Sequence, residues 1–394
     1  MNAARKLSLC TLLGVLVASS PAQGQEWTNT AGRMMEDEDR LTIGGYAQID
    51  YNQPLITGAH ATGNLDVHRL VLMFGYKFNK KTQFITELEF EHVKEVYVEQ
   101  AFLQYEITPW FKFRGGLMLI PMGIINEYHE PSTFNGVERP NLDKYIVPTT
   151  WREIGAGFTG VFPSAALSYQ IYLVNGFKSY DGDPYLSGSD GFRKGRQKGA
   201  ESFMSAPNLT FKVNYFGISG LHLGISAYTG NTQSTLYNGM EKSDEASVAR
   251  ADSSIVGLAM LGLDARYQLG GLQIRAQANF ASVSNASAYN EFAGSDLGKT
   301  LGGWYGELAY DLFHGVDRYA SSLLPFIRFE QYNTHMTVEE ASQLNPSFKR
   351  SDLTLGLGWR MSKGAMLKAD YQIFRNEGSE DAGYQFNAGV AVWF

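Results

Sequence analysis

Basic side chains recur at alternate positions of several apolar segments, and they are the residues best suited to chemistry with anions. A guanidinium group presents a planar fork of N–H donors that matches the oxygens of phosphate or carboxylate. Along residues 272–280, for example, Arg275 shares one face with Gln273 and Gln277, whereas leucine, isoleucine, alanine and phenylalanine occupy the other. The basic residues predicted to lie on such polar faces are Arg69, Lys112, Arg114, Lys212, Arg266, Arg275, Arg328 and Arg360.

Acidic side chains form a second polar set. Glu87, Glu89 and Glu91 alternate with Leu88 and Phe90, so the three carboxylates share one face of a predicted strand. This acidic stripe weighs against a surface that selects only anions.

The longest irregular segment of the first half of the chain, residues 121–151, is rich in charges, prolines and aromatic residues. A connection of this length is either functional or disordered, and its prolines and aromatic rings favour order. We expect it to fold inward and narrow the interior, as a constriction loop. The charged residues expected at the constriction are Glu127, His129, Glu130, Glu138, Arg139, Lys144 and Arg152.

Motifs for catalysis or metal binding are missing from the sequence. It contains no Gly-x-Ser-x-Gly elbow, no His-Glu-x-x-His and no glycine-rich phosphate loop after a strand. Glu127, His129 and Glu130 lie close together on an irregular loop, without the fixed spacing of metal ligands. We therefore expect no enzyme activity, no cofactor and no metal.

The elements that position these residues are strands. From Leu41 to Phe394 the chain repeats a segment of about ten residues with alternating apolar and polar side chains, and about sixteen such segments occur. Short turns such as Asn79–Lys81 and Gly270–Gly271 alternate with long polar connections. The pattern predicts an all-β fold, a transmembrane antiparallel β-barrel with short periplasmic turns and long extracellular loops.

The alternation also predicts the direction of each side chain. An arginine on the lipid face at the middle of the membrane costs about 2 to 4 kcal/mol, so the basic residues are expected to face the lumen. One interpretation is that they guide anions. The other is that they are ordinary polar filling of a wide barrel, paired with acids.

The start of the chain predicts export. Arg5 and Lys6 precede an apolar run and a stretch of small residues that ends near Gly24, a pattern typical of a signal peptide at residues 1–24. Residues 25–40 then form a short periplasmic segment, too small for a globular plug. Residues 41–394 form the barrel.

Cysteine content and charge exclude further classes. Cys10, the single cysteine, falls within the predicted signal peptide, so neither a disulfide nor a lipid anchor is expected. The formal net charge of −7 disfavours nucleic acid as a partner.

The last strand carries a signal of its own. Apolar side chains occupy every second position from Tyr384 to the terminal Phe394. This ending resembles the C-terminal signal that outer-membrane proteins present to their insertion machinery, so Phe394 is expected to bind that machinery.

The sequence resembles the phosphate-selective porin O and P family of outer-membrane channels. The resemblance spans residues 25–394 and is sharpest at Ile120–Gly123, Glu138–Pro140 and Pro148–Glu153. It implies a homotrimer in the outer membrane that transports small hydrophilic, often anionic, solutes. The acidic stripe departs from the pattern of the members that select phosphate.

Turn lengths predict three cross-strand pairs. Arg69 is expected opposite Glu91 and Lys112 opposite Glu106, where each base is neutralised. The Gly270–Gly271 turn sets Arg266 opposite Arg275, and these two like charges are expected to offer a transient anion site on the lumen wall.

Alternatives remain open at this point. The basic run Arg193, Lys194, Arg196 and Lys198 is either a vestibule that attracts anions, a solvated loop or a contact with lipopolysaccharide. The barrel is either a porin, with anion preference, weak cation preference or no preference, or the anchor of a receptor or adhesin. The last alternative predicts a blocked lumen.

Overall fold

Strands with alternating apolar and polar side chains build nearly the whole molecule. The computed structural model describes residues 29–56, 58–316, 320–339 and 343–394, so the predicted signal peptide lies outside the described residues. The strands are β1 (Leu41–Leu55), β2 (Asn64–Lys77), β3 (Thr82–Glu91), β4 (Glu95–Thr108), β5 (Phe111–Leu119), β6 (Arg152–Phe162), β7 (Leu167–Val174), β8 (Lys178–Tyr180), β9 (Asn208–Ile218), β10 (Leu221–Asn231), β11 (Gln233–Ser234), β12 (Gly257–Leu269), β13 (Leu272–Ser284), β14 (Thr300–Tyr310), β15 (Ser322–Thr337), β16 (Lys349–Ser362), β17 (Ala365–Asn376) and β18 (Gly383–Trp393).

All strands except β8 and β11 join one closed antiparallel barrel of sixteen strands, which confirms the predicted fold class. Each strand pairs with the next barrel strand along the chain, and β18 closes the ring against β1. At the seam, the Gly45 amide donates to the Phe394 carbonyl at 2.9 Å. The two short strands, which sequence analysis did not predict, pair in parallel outside the barrel.

The two rims of the barrel differ. One rim, here the inner rim, carries both ends of the barrel chain and tight turns such as Gly270–Gly271, where Gly270 has φ +57°. The other, the outer rim, carries the long connections. Two connections depart from this rule: residues 92–94 make a tight turn at the outer rim, and the connection from β14 to β15 at the inner rim, described at residues 311–316 and 320–321, is longer than the other turns there.

Side chains divide between the two faces as the alternation predicts. On β12, Leu261 and Leu263 are exposed on the outer surface, whereas Met260, Asp264 and Arg266 are buried on the inner face. An apolar surface this extensive would be costly in water and suits contact with lipid tails. The polar inner faces enclose the lumen.

Helices lie outside the sheet: α1 (Thr30–Glu36), α2 (Leu142–Tyr145), α3 (Glu245–Ser253) and α4 (Ala286–Ala293). Within the described ranges, none is long and apolar enough to cross a membrane. The Asn29 side chain caps α1 by accepting from the Gly32 amide at 2.9 Å. Helix α1 packs against the barrel: Met34 is buried near Gly75 on β2, and the Arg33 guanidinium lies 4.4 Å from the ring centre of Trp393.

Candidate functional site

The connection between β5 and β6, residues 120–151, lies inside the barrel. Its ends stay at the outer rim, where the Ile120 amide donates to the Trp151 carbonyl at 3.0 Å, and the side chain of Asn126 bridges the carbonyls of both residues. Between these ends most residues are buried. Prolines along the segment prevent it from adding a strand to the sheet, so its backbone polar groups find partners on the lumen wall.

Lys212 of β9 fastens one side of this constriction loop. Its ammonium group donates to the Gly123 carbonyl at 2.8 Å and to Glu127 at 2.6 Å, and it lies 3.1 Å from Asp264. Lys212 is fully buried. Lys212, predicted to line the lumen, and Glu127, predicted to lie at the constriction, therefore form an ion pair.

Lys368 of β17 fastens the opposite side. Its ammonium group donates to the carbonyls of Phe134 at 2.6 Å and Gly136 at 2.9 Å, and to that of Pro131. The same group lies 4.1 Å from the ring centre of Phe134. Sequence analysis missed Lys368, although Leu367 and Ala369 on either side already indicate that it faces the lumen.

Wall side chains also accept hydrogen bonds from the loop backbone. Asp370 accepts from the Val137 amide at 2.6 Å, Glu330 from Leu142 at 2.9 Å and Gln277 from Ile124 at 2.6 Å. These three contacts come from β17, β15 and β13. The loop is thus held across the lumen, and its path is determined by polar groups of the wall.

Arg328 and Arg275 are paired with acids of the wall. Arg328 lies 3.7 Å from both Glu307 and Glu330, and it donates to the Glu138 carbonyl of the loop at 3.3 Å. Arg275 lies 3.5 Å from Glu307. For these two residues the structure favours the interpretation of paired polar filling.

Glu87 and Glu89 of the acidic stripe are buried on the inner face of the barrel, and their carboxylates contact other residues of the protein. Arg69 lies 3.9 Å from Glu89, and it donates to Gln48 and to the His129 carbonyl, each at 2.9 Å. Glu87 faces the His129 ring at 3.3 Å. The stripe therefore serves to hold the loop as well as to line the wall.

The predicted cross-strand pairs have the expected register. Arg69 lies opposite Glu91, although its nearest acid is Glu89. Lys112 lies opposite Glu106 and forms an ion pair with it at 3.3 Å.

Arg266 lies opposite Arg275, as the Gly270–Gly271 turn predicts. The pair does not require an added anion, because each guanidinium group already has a partner in the protein. Arg275 has Glu307, and Arg266 lies 4.1 Å from the ring centre of Tyr128.

A polar cavity of about 190 Å³ lies at the inner side of the loop. Helix α1 forms one wall of it, and the constriction loop and barrel strands from β3 to β12 form the rest. The cavity is lined by Lys112, Arg114, Arg266, His222 and Glu127, among others. Arg114 donates to Gln104 at 2.7 Å and lies over the Phe102 ring.

A group of basic side chains gathers at the outer side of the loop. Arg193 and Arg196 both donate to the Thr149 carbonyl, at 3.1 Å and 2.6 Å. Lys198 and Arg152 both lie over the Tyr97 ring, at 4.8 Å and 5.8 Å from its centre.

Arg139 extends this group on the loop itself, with a contact of 3.4 Å to the His129 carbonyl. The outer-mouth cluster is defined here as Arg139, Arg152, Arg193, Arg196 and Lys198. Arg152 lies 3.8 Å from Glu99. Across the described ranges, no ion pair joins Arg193, Arg196 or Lys198 to a carboxylate.

The charge state of the cluster reflects its crowding. Burial, followed by the charges of Arg193 and Arg152, lowers the pKa of Arg196. Burial, followed by the charges of Arg196 and Arg152, lowers the pKa of Lys198. The charged forms of Arg196 and Lys198 are thus disfavoured first by burial and then by neighbouring cations, while Glu91 partly offsets both effects.

The remaining predicted residues lie elsewhere. Lys194 is exposed and pairs with Asp190 at 2.9 Å. Lys144 is exposed, with its ammonium group 5.3 Å from the ring centre of Tyr145. Arg360 lies on the inward side of β16 near the inner rim, and Glu130 accepts from the Thr30 amide of α1 at 3.0 Å.

Glu99 is the most informative residue that sequence analysis missed. Simple alternation places Gln100 in the lumen and Glu99 in lipid, but a β-bulge on β4 between Val98 and Gln100 turns both side chains inward. Glu99 is fully buried and contacts His129 at 3.1 Å. Two adjacent polar residues in an alternating strand were the available signal, because the apolar positions change parity across them.

Comparisons with known proteins agree with this architecture. No protein-family profile matches the chain. An uncharacterized protein of Aquifex aeolicus (strain VF5) is 29% identical over 359 residues, which cover 86% of this chain and 77% of that protein.

Solved structures show similarity of fold. Salmonella typhi OmpF, in complex with daunomycin, has a TM-score of 0.59 at 11% identity and covers 90% of this chain and 97% of its own. An anion-selective porin from Comamonas acidovorans has a TM-score of 0.54 at 11% identity, with coverage of 90% and 99%. The trimer form of OmpT from Vibrio cholerae has a TM-score of 0.51 at 11% identity, with coverage of 90% and 100%. The chain therefore shares the closed-barrel fold of these outer-membrane proteins.

Proposed function

We propose that this protein is a porin of the bacterial outer membrane, through which small hydrophilic solutes diffuse passively with a preference for anions. The apolar outer surface and the polar lumen support the membrane location. The loop across the lumen supports size restriction, because solutes must pass the gaps that it leaves beside the wall. Passage of this kind needs neither energy coupling nor a cofactor.

The observation that carries the anion preference is the outer-mouth cluster. Its cations share acceptors and an aromatic ring, and three of them have no carboxylate partner in the described part of the chain. A mouth lined by one sign of charge concentrates counterions and raises their rate of entry. The cavity on the inner side offers Lys112, Arg114 and Arg266 along the same route.

The direct test is the reversal potential of single channels in a planar bilayer under a salt gradient. We expect an anion-side reversal for the unmodified protein. The double variant Arg193→Gln/Arg196→Gln should lower the anion-to-cation permeability ratio several-fold, since two unpaired charges are removed from the mouth. Barrel stability should change little.

Arg250→Gln is the matched control. Arg250 belongs to helix α3 at the outer rim and is exposed. The substitution therefore removes one positive charge from the same side of the membrane. It should leave the ratio unchanged. A cation-side reversal of the unmodified protein, or an equal effect of the control, would contradict anion preference and favour a non-selective porin.

A receptor or adhesin is the second candidate. The loop that fills much of the lumen, and the structured outer connections with β8, β11, α3 and α4, favour this function. A receptor predicts negligible conductance in the bilayer, whereas a porin predicts stable conductance steps.

The finer parts of the proposal follow from the family resemblance. Phosphate and other small oxyanions are the solutes that guanidinium forks suit best. Assembly as a homotrimer, recognition of Phe394 by the insertion machinery and contact of the outer loops with lipopolysaccharide complete it. Cross-linking of the purified protein tests the trimer.

A further inference from the structure

Helix α1 reaches into the barrel from the inner rim and contacts the constriction loop. The Asn29 side chain, at the start of the helix, donates to the Glu127 carbonyl at 3.1 Å. The Thr30 amide donates to the Glu130 carboxylate at 3.0 Å. The helix therefore lies within the lumen, between the inner rim and the loop, where a solute must pass it.

The same helix closes one side of the inner cavity. Ala31, Gly32, Met35 and Glu36 of α1 line that side, and Glu127 of the loop lines the side that faces it. Two further contacts of α1, with Trp393 and with β2, lie near the inner rim. Removal of the helix would therefore open the cavity toward the inner mouth of the barrel.

The contacts that hold α1 are weaker than those that hold the loop. The Arg33 guanidinium lies over the Trp393 ring at 4.4 Å, and Met34 is buried near Gly75. Among the described residues, no ion pair joins residues 29–40 to the barrel. The loop, by contrast, is held by the buried ammonium group of Lys212. Water in the lumen can replace the two hydrogen bonds that α1 makes with the loop.

The length of α1 makes its helical form depend on these contacts. The helix has seven residues, whereas an isolated helix needs about 12 to 15 residues to be even marginally stable in water. Residues 37–40, which connect it to β1, are exposed. A withdrawn α1 would thus become a flexible segment at the inner rim. Its gain in conformational entropy offsets part of the contact energy that is lost.

Building on the porin function, on which this step rests, we propose that helix α1 is a movable gate at the inner mouth. With α1 seated against the loop, the channel has a lower conductance. With α1 withdrawn, the inner cavity opens to the inner rim and the conductance rises. The gate determines how much passes, whereas the outer-mouth cluster acts on the sign of the charge that passes.

A disulfide that locks α1 in place is the first test. A Cβ atom on Gly75 would lie 3.7 Å from that of Met34, within the range of about 3.5 to 4.5 Å that disulfides require. Its closest neighbour would be the end of the flexible Ile85 side chain. Cys10, the single cysteine, lies in the predicted signal peptide, so the mature chain should offer no competing thiol.

Single-channel recordings in a planar bilayer then report the state of the gate. The unmodified protein should switch between two conductance levels. The oxidised variant Met34→Cys/Gly75→Cys should show the lower level only, and a reductant should restore switching. Met34→Cys and Gly75→Cys alone are the matched controls, because an oxidant cannot join α1 to β2 in either of them.

A second variant should release the gate. Met34→Asp places a charge in the buried position beside Gly75, which is unfavourable without a partner. It should increase the time spent at the upper level several-fold. Glu38→Gln, which also changes one charge but at an exposed position of the connection to β1, should leave this time unchanged. A single conductance level that neither the disulfide nor Met34→Asp alters would overturn the gate and leave the porin function intact.

Thiol labelling of the folded protein in detergent tests the movement without any conductance. The thiol of Met34→Cys should react with a maleimide completely but more slowly than that of Glu38→Cys, because residue 34 is accessible only when α1 withdraws. Leu324→Cys, at a fully buried position of β15, should stay unreactive and show that the barrel is folded. An equally unreactive Met34→Cys would overturn the gate. Absence of conductance in every variant would instead contradict the porin function, and the gate with it.

Discussion

The cations of the outer mouth and those of the barrel wall differ in what they contact. Lys212, Arg275 and Arg328 each lie within 4 Å of at least one carboxylate, and Lys368 is enclosed by loop carbonyls. Arg193 and Arg196 instead share a single backbone carbonyl. The same residue types therefore differ in their contacts: wall cations hold the loop in place, whereas Arg193 and Arg196 form no ion pair with a carboxylate among the described residues.

The largest effect is expected when a wall cation is removed, because this tests directly whether wall cations hold the loop. Lys212→Met should lower the free energy of unfolding by about 3 to 5 kcal/mol, because it leaves Glu127 and Asp264 as buried carboxylates without their counter-charge. Denaturant unfolding in detergent measures the loss.

Lys112→Met is its control. Lys112 also faces the lumen and pairs with an acid, but its side chain is 28% exposed, so its loss should cost at most about 1 kcal/mol. Equal losses in the two variants would show that wall cations do not hold the loop in the way described.

A smaller effect is expected when pH changes the charge of the mouth. Because burial and neighbouring cations lower the pKa of Lys198, this residue loses its proton at a lower pH than an ordinary lysine. Anion preference should therefore fall as pH rises from about 7 to about 10. Reversal potentials across this range measure the change.

Lys198→Arg sharpens the same test. Arginine keeps its charge over this range, so the variant should hold its anion preference to a higher pH than the unmodified protein. Identical profiles for the two proteins would assign the pH dependence to other groups.

The smallest effect is expected from a cation that belongs to neither region. Arg33 of α1 lies over the Trp393 ring at the inner rim, and such a contact contributes about 0.5 to 1 kcal/mol. Arg33→Ala should lower stability by no more than this and leave anion preference unchanged. A marked shift in selectivity would instead make α1 part of the anion route.

Alternation along the chain was enough to predict the barrel, the inward direction of the basic residues and the register of the hairpins. These properties depend on contacts between strands that are neighbours in sequence. The loop contacts could not be predicted in this way. Lys212 and Gly123, for example, are 89 residues apart, and their meeting depends on the path of an irregular segment.

Two further features could not be predicted from the sequence, each for a local reason. The bulge at Glu99 breaks the period of two, so alternation applied across it assigns the wrong face. Helix α1 enters the lumen through its contacts with the loop, such as the Thr30 amide with Glu130. Its own short sequence has no property that indicates this position.

The constriction loop also constrains how the chain can fold. Its partners lie on strands from both ends of the barrel sequence: Gln48 of β1 donates to the Val137 carbonyl, and Asp370 of β17 accepts from the Val137 amide. Those two contacts can coexist only after the first and the penultimate strands, β1 and β17, have come together around residue 137. Closure of the barrel and docking of the constriction loop are therefore coupled. An intermediate with a closed barrel but an undocked loop would retain buried charges without partners. Assembly of this protein should show one cooperative late step in which the seam and the interior become protected from hydrogen exchange together.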